Sequence, residues 1–424
     1  MTTLAVAFGL GAANVAETVI GLSGLAELVF VCTDERNPML PLLHDLGEVV
    51  LAGGDLDDTA RRLRELRPGG IVTFSDEVLM LAAELAVRLG LPFNDPVTTA
   101  RLTSKELQRA RLRECGVDNL PSRPLRTGAD FPAAIAEVGY PAVLKPVHGA
   151  GSRDTYLLSG PADDRLAHDL LDGEVAFVLE EYLHGRPTTD FGDYVSVESL
   201  VTPERVQHFA ISGKLPLVPP FRERGHIWPS TLDEHDEGLV KDLITRALRA
   251  LGVRLGFTHT ELKLTPTGPR IIEVNGRLGG GLNDLGRIAY GVDLVQIAGQ
   301  VALGQPVPPI PERADRVHLN YRTLSPTAPF TLHGVHGTDA LRRVPELTGY
   351  RLQSEAGQRY DASVESRFLD QISLVADDHA GLLAAIRRAR EVLVYDIEFQ
   401  SGERREFTGN DLARYTESEL APGR

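Results

Sequence analysis

At 424 residues, 42% hydrophobic and 24% charged, the chain has the composition of a globular protein and the length for two or three domains with sizeable cores. Its 44 Lys+Arg against 59 Asp+Glu give a formal charge of −15. That balance excludes a general affinity for nucleic acid or anionic membrane, while a local basic pocket for phosphates is still allowed. Cys32 and Cys115 lack metal-ligand spacing and cannot form a disulfide framework, so both read as buried thiols in a reducing compartment. The opening MTTLAVAFGL has no basic leader and is too short to span a bilayer; it reads as the first strand of a cytoplasmic protein.

Strand patterns at Leu4–Phe8, Glu27–Cys32, Glu48–Leu51 and Gly70–Phe74 alternate with helical ones from about Asn14, at Asp57–Arg67 and at Val78–Leu89. This alternation predicts an open parallel sheet with helices on both faces. Gly9-Leu10-Gly11 lacks the third glycine of a dinucleotide fingerprint and reads as a tight turn. Ser75-Asp76-Glu77 stands where open sheets bind ligands, and equally suits a helix N-cap.

Thr103–Cys115 reads as a helix capped by Ser104 or Thr103, with Lys105 in a first turn that the helix dipole makes unfavourable for a cation unless an anion faces it. Asp130–Val138 is a second helix. Ala142–Pro146 is a buried strand containing Lys145, which is costly unless the lysine faces an anion or a cleft. His148-Gly149-Ala150-Gly151-Ser152-Arg153 then leads directly into the strand Thr155–Leu158, so it is not a strand-to-helix phosphate loop. Its free backbone N–H groups suit a fold over phosphates, and an ordinary flexible hairpin is the competing account. Ala176–Leu183, Tyr194–Val201 and His208–Ser212 are further strands. The proline-rich run Lys214–Pro229 reads as irregular and carries Glu223 and His226 three apart. Glu237–Leu251 is an amphipathic core helix.

Thr258–Gly281 (THTELKLTPTGPRIIEVNGRLGGG) alternates on either side of the turn Pro266–Pro269. Paired as a hairpin, it sets Glu261 opposite Glu273, with Asn275 and Arg277 beside them. Two carboxylates so close repel unless a cation or proton sits between them, and with an asparagine oxygen they suit Mg²⁺ shared with phosphates. A solvated face with an arginine salt bridge is the plainer alternative. Asn283–Leu303 reads as a helix pair or one broken helix, and 306–311 as a proline-rich boundary. Residues 316–424 read as α+β with one strong helix, Ala380–Leu393, capped by Asp377 or Asp378, and an end frayed from about Thr416.

The order of Lys105, VLKP with Lys145, the glycine loop, LEEYL and ELKL…IIEVNGR resembles the ATP-grasp superfamily of carboxylate ligases over roughly residues 1–315. SVESLV, the Glu223–His226 pair in FRERGHIWPSTLDE and THTELKL…IEVNGRLGGG resemble its L-amino acid (dipeptide) ligase branch, of the bacilysin-synthetase type. The resemblance implies a mixed α/β and α+β chain in the ATP-grasp fold. An open parallel pre-ATP-grasp domain over 1–100 would be followed by an ATP-grasp domain over 101–315, with a small lobe at about 120–185 and a large lobe at about 186–315. An α+β subdomain over 316–424 would close the chain. It implies that ATP phosphates meet Lys105 and Lys145 under the 148–155 loop, with His148, Gly149, Gly151 and Ser152, and that Glu180, Glu181 and Leu183 line the adenine and ribose end. Glu261, Glu273 and Asn275 would hold one or two Mg²⁺ (or Mn²⁺) ions. Arg277 would steady an acyl phosphate; Glu223, His226, Arg277 and Gly280 would contact substrates, His226 also as a proton acceptor. Gly281 falls where some relatives carry a bulky residue, which implies room for larger substrates. The activity implied is ATP-dependent coupling of an amino acid carboxylate to an amine, with small molecules as partners, no nucleic acid or membrane, and a homodimer as in many relatives. The alternatives are an enzyme of the same superfamily using bicarbonate or a purine intermediate, and a nucleotide-binding regulatory protein without turnover.

Overall fold

The strand–helix alternation of the first hundred residues folds into a four-stranded parallel sheet in the order Glu48–Leu51, Glu27–Cys32, Thr3–Ala7, Pro68–Val72. Past their first residues its strands are apolar runs, because both faces are covered. Leu4 and Val6 point into one core and Ala5 and Ala7 into another. The first of these cores includes Leu294, Val295 and Val301, from a helix far along the chain. The computed structural model describes residues 2–149 and 151–419. Ala150 of the glycine loop and the end of the predicted frayed tail, from Leu420, lie outside the described residues.

The expected helix at Thr103–Cys115 is two helices, Pro96–Thr103 and Lys105–Glu114. Asp95 caps the first, accepting from the Thr98 N–H at 2.8 Å, with Pro96 at the first helical position. Ser104 ends it and caps the second, accepting from the Leu107 N–H at 3.3 Å. The small lobe is a four-stranded antiparallel sheet, Ser122–Leu125, Phe177–Glu181, Ala142–Pro146, Tyr156–Leu158, packed on two helices through Phe131, Leu144, Leu171 and Leu179.

The large sheet has eight strands, in the order Gly268–Asn275, Gly256–Thr265, Tyr194–Val201, Val206–Lys214, Gly225–Trp228, Val317–Leu324, Phe368–Ala376, Leu347–Leu352. One expectation is corrected here. The proline-rich run is not wholly irregular: Gly225–Trp228 is a strand pairing with Val206–Lys214 on one side and Val317–Leu324 on the other. Three strands beyond residue 316 extend this same sheet. A second four-stranded sheet and the helix His379–Val392, capped by Asp378, close over them. The chain then forms the helix Gly409–Ser418, in which Thr416 is buried rather than frayed. Among the described residues no helix is long and apolar enough to cross a membrane.

Candidate active site

The alternation of the central hairpin translates directly into geometry. Glu261 lies opposite Glu273 and His259 opposite Asn275, with a bulge just after Glu261. Glu261, Glu273 and Asn275 line a cavity of about 980 Å³. The crowding of carboxylates is relieved by cations. Lys105 Nζ lies 3.0 Å from Glu273 Oε1, and His259 Nε2 lies 3.3 Å from Glu261 Oε1. His259 Nδ1 is in turn 2.8 Å from Glu198 Oε1. Burial alone would lower the histidine's pKa, but the flanking carboxylates of Glu198 and Glu261 outweigh it and raise it to about 9. Burial pushes Glu261 up, yet the His259 hydrogen bond and nearby cations hold it at about 2. Both groups are therefore charged at neutral pH.

Lys145 and Lys105 reach the same cavity from the small-lobe sheet and from a helix N-terminus. Lys105 Nζ also donates to the Gly149 carbonyl at 2.8 Å, so carbonyl and Glu273 together offset its unfavourable place on the helix dipole. Lys145 Nζ lies 2.8 Å from Glu180 Oε2, and its pKa is lowered by burial. Glu180 lines this cavity too, and its carboxylate is the buried centre of an ion cluster. Arg109 clasps it in a fork, Nε to Oε1 at 2.7 Å and Nη2 to Oε2 at 3.0 Å. Burial would raise the Glu180 pKa; Arg109 and Lys145 overcome this and hold it at about 2. Arg109 also donates to the carbonyls of Ile271 and Ile272, locking helix to hairpin. Its signal in the sequence is its place one turn after Lys105.

Glu181 and Leu183 line the cavity, but the Glu181 N–H is already donated to the Pro121 carbonyl at 3.0 Å. Gly149, Gly151 and Ser152 line it too, and the loop takes left-handed backbone at Gly151, Ser152 and Asp154, with φ of 68°, 57° and 51°. His148 does not: its Nδ1 lies 2.9 Å from the Thr103 carbonyl, outside the wall. Arg277 does, held by Asp76 through Nε to Oδ2 at 2.6 Å. Asp76 thus serves neither as a helix cap nor as a free ligand.

Glu223 lines the cavity and His226 does not. Lys214 Nζ sits between them, 3.0 Å from Glu223 Oε1 and 3.0 Å from His226 Nδ1. His226 is buried, and burial together with Lys214, Arg322 and His259 pushes its pKa well down. The ring, expected to contact substrate and to accept a proton, thus stands behind Lys214 and off the cavity wall. Gly280 also lies outside the wall, and its carbonyl accepts from Arg322 Nη2 at 2.9 Å. The room expected beside Gly281 is taken by the same guanidinium, since a Cβ there would stand 2.2 Å from Arg322 Nη2. Lys214 and Arg322 were missed, although each is a cation in a strand with many apolar residues, the same signal that marked Lys145.

Two ionisable carboxylates and an amide oxygen on one cavity wall are hard oxygen donors that fit Mg²⁺ or Mn²⁺. Among the described residues no group of three acidic, histidine or cysteine side chains gathers for a metal, so phosphate and water oxygens would complete the set.

Residues 138–284 match the model of the ATP-grasp domain. The chain is similar to carnosine synthase 1 of Mus musculus, 30% identical over 317 residues that make up 66% of this chain and 37% of that one. It is similar to the alanine–anticapsin ligase of Bacillus subtilis (strain 168), 28% identical over 258 residues, 56% of this chain and 54% of that one. The chain thus spans about half or less of the length of these two relatives. The fold is that of an L-amino acid ligase from Bacillus licheniformis, with a TM-score of 0.76 at 21% identity over 93% of this chain and 98% of that one.

Proposed function

Given that the chain carries an ATP-grasp domain within an ATP-grasp fold, we propose that it is a cytoplasmic, ATP-dependent ligase joining an amino acid carboxylate to an amine. The observation that carries this reading is one cavity gathering Lys105, Lys145, Glu261, Glu273, Asn275 and Arg277. The named activities of the two similar enzymes, a carnosine synthase and an alanine–anticapsin ligase, support the same class of reaction.

A carboxylate is a poor electrophile, so the substrate carboxylate first attacks the γ-phosphorus of ATP, giving an acyl phosphate and ADP. Lys105 and Lys145 clamp the phosphates, and the 148–155 loop covers them and excludes water, which would hydrolyse the acyl phosphate. Glu261, Glu273 and Asn275 would hold Mg²⁺, which when bound neutralises charge on the phosphate oxygens. The amine then attacks the acyl carbon, Arg277 steadies the oxyanion, and phosphate departs with the C–O bonding pair and can take the amine's proton. Asp76 positions Arg277 for this, through the 2.6 Å contact described above.

ADP release measured over pairs of amino acids and amines tests the reading. Release is expected with at least one pair, and Glu273→Ala is expected to lower it about 100-fold or more while the protein still melts cooperatively. No ADP from any pair, or full activity in that variant, would overturn it.

A further inference from the structure

We propose that Arg322 is a specificity-determining residue that binds a substrate carboxylate other than the one being activated, so that the site favours a co-substrate bearing its own anionic group. The inference rests on the ligase reading above. Arg322 belongs to the strand Val317–Leu324, and its side chain lines the same cavity as Glu223, Glu261 and Arg277.

The other cations of that cavity are all matched. Lys105 pairs with Glu273, Arg109 and Lys145 with Glu180, Arg153 with Glu365, Lys263 with Asp193, and Arg277 with Asp76. Among the described residues Arg322 pairs with no carboxylate. Glu223, the acid whose field reaches it most strongly, is already held by Lys214 at 3.0 Å. The guanidinium spends one N–H on the Gly280 carbonyl and lies 5.0 Å from the Phe368 ring centroid. Its Nε is buried with no hydrogen-bond partner among the described residues.

A guanidinium does not shed its proton, so it cannot escape the cost of burial by neutralisation as a lysine or histidine can. Arg322 is part-buried with its Nε fully so, and such an unpaired charge is unfavourable until an anion meets it; the planar fork of donors matches a carboxylate. Gly281 is the complement of this arrangement. Its φ of +74° is one that side chains rarely adopt, and a Cβ would stand 2.2 Å from Arg322 Nη2. The glycine therefore leaves room for the guanidinium rather than for a bulkier substrate. Arginine and glycine act as a matched pair.

Two substrate features would present such a group: the α-carboxylate of an amino acid serving as the amine, or the distal carboxylate of a dicarboxylic acyl substrate. Calorimetric titration of the full chain with Mg²⁺ and a non-hydrolysable ATP analogue separates them. Standard amino acids are compared with their α-amides, and aspartate and glutamate with asparagine and glutamine. At least one acid is expected to bind about tenfold or more tighter than its amide, and Arg322→Gln is expected to erase that preference. The α-amide series answering identifies the first source; the side-chain series identifies the second. Gly281→Ala, which displaces the guanidinium, is expected to reproduce the loss, and Arg322→Lys to keep only part of the preference. These two variants carry the test if Arg322→Gln fails to melt cooperatively. Acids binding no tighter than their amides, or a preference that survives loss of Arg322, would overturn the inference. ADP release over the same panel is read separately. An Arg322-dependent preference without any ADP would sink the ligase reading and leave standing only a carboxylate site at Arg322; ADP release without preference would keep the ligase reading and overturn this inference.

Discussion

Glu180 and Lys145 illustrate how far a single residue can be read. A lysine within AVLKP asks for an anion, and the anion is Glu180, 2.8 Å away. Which acid supplies it is invisible in the sequence, since strand pairing brings Lys145 and Glu180 together from 35 positions apart. The cluster also gives a pH dependence with a definite sign. Glu180 is held at about 2, below its ordinary 4.5, so its contribution to stability is fully present above pH 4.5 and is lost as the pH falls towards 2. Glu180→Gln leaves Lys145 and Arg109 sharing an uncompensated buried charge, and is expected to cost about 3 kcal/mol at pH 7. Urea unfolding between pH 7 and pH 3 checks this: the variant should be destabilised at neutral pH and show a flatter acid dependence. An unchanged midpoint at pH 7 would mean that the cluster contributes nothing to stability.

At the scale of elements, strands bounded by turn residues were legible, and Glu27–Cys32, Glu48–Leu51, Ala142–Pro146 and Tyr194–Val201 have the limits expected of them. The misses share a cause. Pro96–Thr103 has a weak apolar stripe and is marked by its cap, Asp95, rather than by periodicity, while Gly409–Ser418 is short, carries few apolar residues and is marked by its cap, Thr408. Gly225–Trp228 is four residues between prolines and exists because two long strands flank it. Ser104 matters more than its size suggests, because it ends one helix, caps the next and sets Lys105 against Glu273. Ser104→Ala is expected to cost about 1 kcal/mol and to raise the KM for ATP more than that for the other substrates. Thermal melts and initial rates check both parts; a rise confined to the amine's KM would place Lys105 elsewhere in the reaction.

At the scale of the whole molecule, the cavity is built by parts far apart in the chain. Asp76 at the end of the first sheet holds Arg277, and a helix at Leu294–Ala302 covers that sheet, which keeps the two together. Residues beyond 316 are part of the same construction. Val317–Leu324 lies between Gly225–Trp228 and Phe368–Ala376, and its loss would expose the edge of the sheet and remove Arg322 from the wall. A chain ending at Asp315 is therefore expected to lack a cooperative thermal transition and to aggregate. A monodisperse, cooperatively melting product would show that the later strands are an independent unit.

The local patterns were sufficient for the parallel first sheet and for the register that sets Glu261 against Glu273, because period-two alternation and turn chemistry act within a few residues; the gathering of those acids with Lys105 and Lys145 was implied only by the resemblance of the ordered motifs to a known family. Three things were decided only by the tertiary structure: that Glu180 is a buried counter-ion, that Lys214 stands between Glu223 and His226, and that Arg322 fills the space beside Gly281. Each depends on a charge finding, or lacking, a partner across strands or helices distant in sequence. Burial then sets the value of that partner, and burial is a property of the packed molecule.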